Sequence, residues 1–179
     1  MQIIRDYVGY ELAWVKANWL RNEFILRADE NTILAEMRMR GSAGAEVAVA
    51  GGSFGIQRKG FWRPKLLITQ GDPPLLIATL SRIGNGGTLD FEDGQTQQYV
   101  WRKARALSNE YFWEDSAGRP VLHAYPSSWK NHVRIAFEPI ATQSARIEVL
   151  TLVAGFLPII AYQDAATTAA STAGIVGGS

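Results

Sequence analysis

The chain has 179 residues, 47% of them hydrophobic, and a formal net charge of +1. This is the usual size of one domain with a sizeable core, and the balanced charge excludes a global field that would gather nucleic acid. The absence of cysteine excludes disulfides, thiol nucleophiles and cysteine-ligated zinc. The first residues carry charges and no uninterrupted apolar segment, so we expect no secretory signal and a cytoplasmic location.

Short segments rich in aromatic and β-branched residues follow one another from Gly9, separated by turn-forming residues at the spacing of antiparallel sheet. The last segment alternates cleanly, with Val133 and Ile135 on one face and Arg134 on the other. This pattern predicts about a dozen strands. The predicted strands include 22–28, 32–40, 45–50, 53–59, 61–69, 75–83, 88–92, 96–103, 109–115, 119–125 and 132–138.

The segment 149–162 is apolar on every helical face, with Thr151 as its only polar side chain before the hydroxyl of Tyr162. Such a helix must be enclosed by protein or placed in lipid. The charge-free run 149–163 is shorter than the roughly twenty residues of a membrane span, which favours a buried core helix. We predict a helix at about 144–162, capped by the Ser144 hydroxyl, and a disordered tail at 164–179, where the residues are small and polar.

The combination of many strands and one apolar helix predicts a mainly β fold, a closed antiparallel barrel that encloses the C-terminal helix. Closure removes the sheet edges, and a barrel of about eleven or twelve strands is wide enough for a central helix. A helix over 144–161 is about 27 Å long at 1.5 Å per residue, which matches the height of such a barrel.

The order of these elements resembles the tubby-like superfamily, which comprises tubby C-terminal domains, LURP-one-related proteins and phospholipid scramblases. The segments LDFEDGQTQQYVWRK at 89–103 and NEYFWEDSAGRPVLHAY at 109–125, together with the terminal helix, are most similar to the LURP-one-related branch. The resemblance covers most of 9–163 and implies a single barrel domain at 1–163, with no catalytic machinery shared across the superfamily. Tubby domains are associated with phosphoinositide binding through lysine and arginine, and those basic positions are not carried over to this chain.

One cluster of basic residues is interleaved with aromatic residues across the turn at Gly60. Cations beside exposed aromatic rings suit phosphate head groups, with the rings able to enter a membrane interface. The alternative is a hairpin of solvated cations and core aromatics. The candidate head-group site consists of Arg58, Lys59, Phe61, Trp62, Arg63 and Lys65. A second, weaker basic group consists of Arg102, Lys103 and Arg105.

The sequence offers no pattern typical of a catalytic or metal site. His123 and His132 fall on different predicted strands without an acidic or serine signature, so we expect surface or satisfied polar roles for both. Asp90, Glu92 and Asp93 form an acidic cluster without calcium-loop spacing, which solvation explains. We expect no catalytic residue, no metal and no cofactor.

Three functions are compatible with these observations. The first is a non-enzymatic barrel, cytoplasmic or peripheral at a membrane, that binds an anionic lipid head group, a small ligand or a protein partner, and no nucleic acid. The second is a membrane-associated, scramblase-like protein whose terminal helix moves into lipid. The third is an enzyme whose carboxylate pair is brought together only by folding.

Overall fold

The computed structural model describes residues 1–18, 21–60, 64–81, 86–93, 98–104, 110–127 and 132–176, with side chains described as far as Ala165. The strands are β1 (Leu12–Asn18), β2 (Glu23–Arg27), β3 (Ile33–Met39), β4 (Gly44–Val49), β5 (Gly52–Lys59), β6 (Lys65–Gln70), β7 (Leu75–Leu80), β8 (Gly86–Phe91), β9 (Gln98–Lys103), β10 (Tyr111–Glu114), β11 (Pro120–Ser127) and β12 (His132–Phe137). One helix follows, α1 (Ile147–Val176), and 3₁₀ turns cover Ile4–Tyr7, Gly41–Ala43 and Pro139–Gln143.

The twelve strands form one closed antiparallel barrel. Consecutive strands pair with each other, and β1 pairs with both β2 and β12, so that Trp14 lies opposite Leu26 on one side and Val133 on the other. The predicted barrel is therefore confirmed. The closing strand β1 is missing from the predicted segments because its burial alternates only weakly beyond Leu12 and Trp14.

Alternating side chains place the core inside the barrel. In β12, Val133 and Ile135 are buried and Arg134 is exposed, as the alternation predicted. The bulkiest fully buried side chains include Trp14, Trp101 and Trp113, which reach the barrel interior from three different strands. This apolar lining is the surface against which a helix without a polar face can pack.

The helix α1 is the core of the barrel. Every residue from Val149 to Ile160 is buried, and Thr151 satisfies its hydroxyl by donating to the carbonyl of Ile147 at 2.7 Å. The indole Nε1 of Trp14 donates to the carbonyl of Thr151 at 3.4 Å, which joins β1 to the helix. The predicted buried core helix is confirmed.

The bounds of the helix differ from the prediction at both ends. It begins at Ile147, because the Ser144 hydroxyl hydrogen-bonds the Tyr99 hydroxyl at 2.8 Å and accepts the Arg146 amide in a turn that precedes the helix. At the other end the backbone stays helical to Val176, through most of the segment predicted to be disordered. Alanine-rich sequence has high helix propensity even where it has too little apolar surface to be buried. The domain boundary at 163 remains a prediction.

The segment Ile147–Ala165 is also long and apolar enough to cross a membrane. In this structure 72% of it is buried inside the barrel. A core helix satisfies the same criteria of length and composition, so this feature by itself does not distinguish the two environments.

Candidate functional site at the helix-exit end of the barrel

The helix enters the barrel at one end and leaves it at the other. Ile160 is buried whereas Ala161 and Tyr162 are exposed, so α1 leaves the barrel at these residues. Odd-numbered strands run toward this helix-exit end, and even-numbered strands run back toward the helix-entry end. The order of the strands thus assigns each charged residue near a strand terminus to one of the two ends.

Cations predominate at the helix-exit end among the residues that the structure describes. The cations there are Lys16, Arg21, Arg38, Arg40, Arg58, Lys59, Lys65 and Lys103. The carboxylates near them are fewer: Glu23, Glu46, Glu110 and Asp164. Part of the positive charge is neutralised by pairing, since Glu23 lies 3.2 Å from Arg38 and Glu46 pairs with Arg40.

Carboxylates predominate at the helix-entry end, again within the described part of the chain. They are Asp6, Glu11, Asp29, Glu30, Asp72, Glu92, Asp93, Asp115, Glu138 and Glu148, against the cations Arg5, Arg27, Arg119 and Arg146. The small net charge therefore conceals a dipole along the barrel axis. The helix dipole suits the helix-entry end, because the positive N-terminus of α1 lies among these carboxylates.

The candidate head-group site lies on the β5–β6 hairpin at the helix-exit end. Lys59 and Lys65 are opposite each other in the strand register, and both are exposed. Arg58 is half-buried and its Nη1 lies 2.7 Å from Oδ2 of Asp164 in α1. The remaining predicted members, Phe61, Trp62 and Arg63, lie outside the described residues.

Arg58 thus has a structural contact that the sequence did not predict. Its guanidinium connects the β5–β6 hairpin to the helix where the helix leaves the barrel, and a partly buried pair of this kind is more sheltered from solvent than an exposed pair. The accessible positive charge of the described hairpin therefore comes mainly from Lys59 and Lys65. Sequence reasoning missed the pair because Arg58 and Asp164 are far apart in the chain.

The second basic group does not act as a unit. Arg102 forms an ion pair with Glu114 at 2.8 Å, and Lys103 lies 5.9 Å from the centre of the Tyr111 ring. Arg105 lies outside the described residues. Of the two described members of this group, Arg102 is paired with Glu114, and the half-buried Lys103 adds its charge to the helix-exit end.

A cleft opens beside the helix at the same end, with a volume of about 240 Å³. Its walls are mostly apolar, and its rim carries polar groups. The apolar residues include Phe24, Tyr111, Val133, Pro158 and Ile159, and the rim includes Lys16, His132, Ser127, Ala161, Tyr162 and Gln163. Sequence analysis could not find this cleft because its residues come from β1, β2, β10, β11, β12 and α1.

A carboxylate pair brought together by folding lies around His123. Nδ1 of His123 is 2.7 Å from Glu110, and Nε2 is 3.1 Å from Glu138, although only the first contact has hydrogen-bond alignment. The ring of Tyr125 stacks on the imidazole with 6.0 Å between ring centres. Burial, followed by the charge of Glu110, raises the pKa of the Tyr125 hydroxyl.

This histidine cluster connects the start of β10, the middle of β11 and the end of β12. The imidazole of His123 fills the space between the two carboxylates, so they do not face a common open site. The expected polar role of His123 is met at Nδ1 by the hydrogen bond with Glu110, whereas Nε2 is buried beside Glu138 without an aligned hydrogen bond. Its carboxylate partners could not have been predicted, because Glu110 precedes β10 and Glu138 follows β12, and only the fold sets the register of these strands against β11.

Comparison with known proteins identifies a shared architecture. The X-ray structure of a protein from Arabidopsis thaliana superimposes on 84% of this chain and on 92% of its own chain, with a TM-score of 0.51 and 8% sequence identity. No family model matches the sequence, and no curated protein matches it significantly. At so low an identity the likeness shows the fold of this chain, a closed barrel around a C-terminal helix, and nothing about its activity.

Proposed function

We propose that this chain is a non-enzymatic binding domain of the tubby-like superfamily, in the LURP-one-related branch, that binds anionic lipid head groups at its helix-exit end. The observation that carries the proposal is the segregation of charge along the barrel axis. A basic end opposite an acidic end orients the molecule on a negatively charged surface, even though the net charge is close to zero.

The assignment to the superfamily is supported by the order of the elements and by the segments 89–103 and 109–125 quoted above. The fold likeness to the Arabidopsis protein is compatible with it. The non-enzymatic part of the proposal is supported by the histidine cluster, where the imidazole separates the carboxylates that folding brings together.

The strength of the expected interaction follows from the accessible cations. Each lysine or arginine close to an anionic membrane contributes about 1 kcal/mol, and the contribution falls with distance over a Debye length. Lys59, Lys65 and Lys103 together would give a measurable but salt-sensitive affinity. Arg58 is expected to contribute less, because Asp164 already neutralises it.

A scramblase-like protein is the second candidate, because Ile147–Ala165 has the composition of a membrane span. It would require the helix to leave the barrel, which breaks the bond from Trp14 to Thr151 and exposes the apolar lining of the barrel. The cost of that exposure favours the first candidate. Extraction of the membrane-bound protein by salt alone, without detergent, would support surface binding over insertion.

The test is cosedimentation with phosphatidylcholine vesicles, with and without phosphoinositide. The parent is compared with Lys59→Gln/Lys65→Gln, and Arg27→Gln/Arg119→Gln is the control that removes the same charge from the helix-entry end. We expect only the first variant to lose about tenfold or more in affinity, and about 0.5 M salt to release the parent. Equal binding by all three proteins, or binding that resists salt, would refute the proposal.

A further inference from the structure

The cleft beside the helix is separate from the β5–β6 hairpin. In the barrel order, β3 and β4 separate the hairpin from β2 on one side, and β7, β8 and β9 separate it from β10 on the other. The two features therefore lie on different sides of the emerging helix. A ligand in the cleft does not need the lysines of the hairpin, and a membrane on the hairpin does not need the cleft.

The inner part of the cleft is suited to an apolar chain. Phe24 and Val133 are almost fully buried, and α1 contributes Pro158 and Ile159. Pro158 has no amide hydrogen, so the helical wall presents an apolar ring at this point. An apolar cavity of about 150 Å³ accommodates benzene, so about 240 Å³ has room for roughly six to ten carbons of an acyl chain.

The rim of the cleft is suited to an anion. Lys16 provides an ammonium group and His132 an imidazole, and Ser127 adds a hydroxyl. The described lining residues include no carboxylate, and cations outnumber carboxylates among the described residues of the helix-exit end. A small number of polar groups at the mouth of an apolar cleft is the usual arrangement for fixing the orientation of a ligand.

We propose that the cleft binds one single-chain anionic amphiphile, a fatty acid, with its chain against Phe24, Val133 and Pro158 and its carboxylate near Lys16 and His132. This site goes beyond the membrane binding proposed above and does not depend on it. The charge of the rim favours a carboxylate over a neutral head. The depth of the cleft beside the helix favours a monomeric ligand over the surface of a bilayer.

The test is isothermal titration of the full chain with decanoate below its micelle concentration, with decanol as the neutral probe of equal length. We expect one decanoate per chain and at least about tenfold weaker binding of decanol. Ala161→Trp fills the cleft from an exposed position and should reduce decanoate affinity at least about tenfold. Lys16→Gln should reduce it about fivefold or more.

Lys65→Gln is the matched control, since it removes one lysine from the other side of the emerging helix and should leave decanoate binding unchanged. Ser127→Trp fills the same cleft from β11 and replaces Ala161→Trp if circular dichroism shows that the latter does not fold. Absence of decanoate binding, equal binding of decanol, or unchanged affinity in both tryptophan variants would overturn the proposal. A parent protein that is dimeric in solution, and that the tryptophan variants convert to monomers, would also overturn the proposal. The cleft would then be an interface between two copies of the chain.

Discussion

Gly155 is the point at which the helix and the barrel wall come closest. A Cβ atom built on it would lie 2.1 Å from Nε1 and 2.2 Å from Cδ1 of the Trp14 ring. The ring cannot easily move away, because Trp14 is fully buried and its indole donates to the carbonyl of Thr151. Only glycine therefore permits this approach of strand and helix.

We predict that Gly155→Ala lowers the free energy of unfolding by about 1–3 kcal/mol or more, the usual cost of overpacking a core. Urea denaturation measures the change. Gly51→Ala is the matched control, because a Cβ there meets nothing within 4 Å, and it should be neutral or slightly stabilising. Equal effects of the two substitutions would mean that the Trp14 contact does not limit the packing.

Asp115 organises the turn between β10 and β11. Its Oδ1 accepts the amides of Ala117 and Arg119 at 2.9 Å each, and its Oδ2 pairs with the guanidinium of Arg119. Burial raises the pKa of Asp115, but the hydrogen bonds and charge of Arg119 and the amide of Ala117 outweigh it, so that the pKa is lowered from 3.8. A carboxyl group whose pKa is lower in the folded state than in the unfolded state stabilises the fold at pH values above the unfolded-state pKa. This stabilisation is lost as the pH falls through the folded-state pKa.

We predict that Asp115→Asn destabilises the fold at pH 7 by about 1 kcal/mol at most, because the pair with Arg119 is partly exposed. Melting temperatures of parent and variant, measured from neutral pH down to acid pH, should converge below pH 3.8, the model-compound value. A difference that stayed constant over this range would show that the charge of Asp115 does not stabilise the turn.

The helix α1 is the core around which the strands pack. Leu152 is 1% exposed, so Leu152→Asp would bury a carboxylate without a partner. The expected cost of several kcal/mol is comparable with a total stability of about 5 to 15 kcal/mol. The variant should therefore not fold, and thermal scans with far-ultraviolet circular dichroism would show no cooperative transition.

The control for this experiment is deletion of 165–179, which removes the projecting part of the chain and leaves the buried part of α1 intact. Its melting temperature should barely change. A cooperative transition in Leu152→Asp, or in a chain shortened from Ser144 onward, would mean that the barrel is stable without its helix.

The segregation of charge between the two ends of the barrel is a property that the composition does not reveal. A formal net charge of +1 indicates no field, yet the barrel has one basic and one acidic end. Charged surfaces interact over the Debye length, which is about 30 Å at a salt concentration of about 0.01 M. The basic end should therefore bind a cation-exchange resin, and the acidic end should bind an anion-exchange resin.

We predict that the protein is retained by both cation- and anion-exchange resins at pH 7 and low ionic strength. Lys59→Gln/Lys65→Gln/Lys103→Gln should weaken retention on the cation exchanger and leave retention on the anion exchanger intact or increased. Elution volumes under one salt gradient measure both effects. Retention on a single resin only, as for an evenly charged protein, would contradict the segregation.

The architecture could be predicted from the amino-acid sequence, because the signals for it are local. The segment 149–160 is apolar on all faces and had to be enclosed, and the alternation of Val133, Arg134 and Ile135 fixed which face of β12 points inward. The head-group site at Arg58 to Lys65 was predicted from the same kind of local spacing. That function remains a proposal.

Contacts between residues that are distant in the chain could not be predicted and follow only from the folded barrel. Residues that lie far apart in the chain meet in three places. Arg58 pairs with Asp164, Glu110 and Glu138 contact His123, and six different elements line the cleft. The opposite charges of the two ends likewise appear only when the direction of every strand is known. The physical reason is that spacing along the chain fixes the face on which a side chain lies, whereas strand register and barrel closure fix its neighbours.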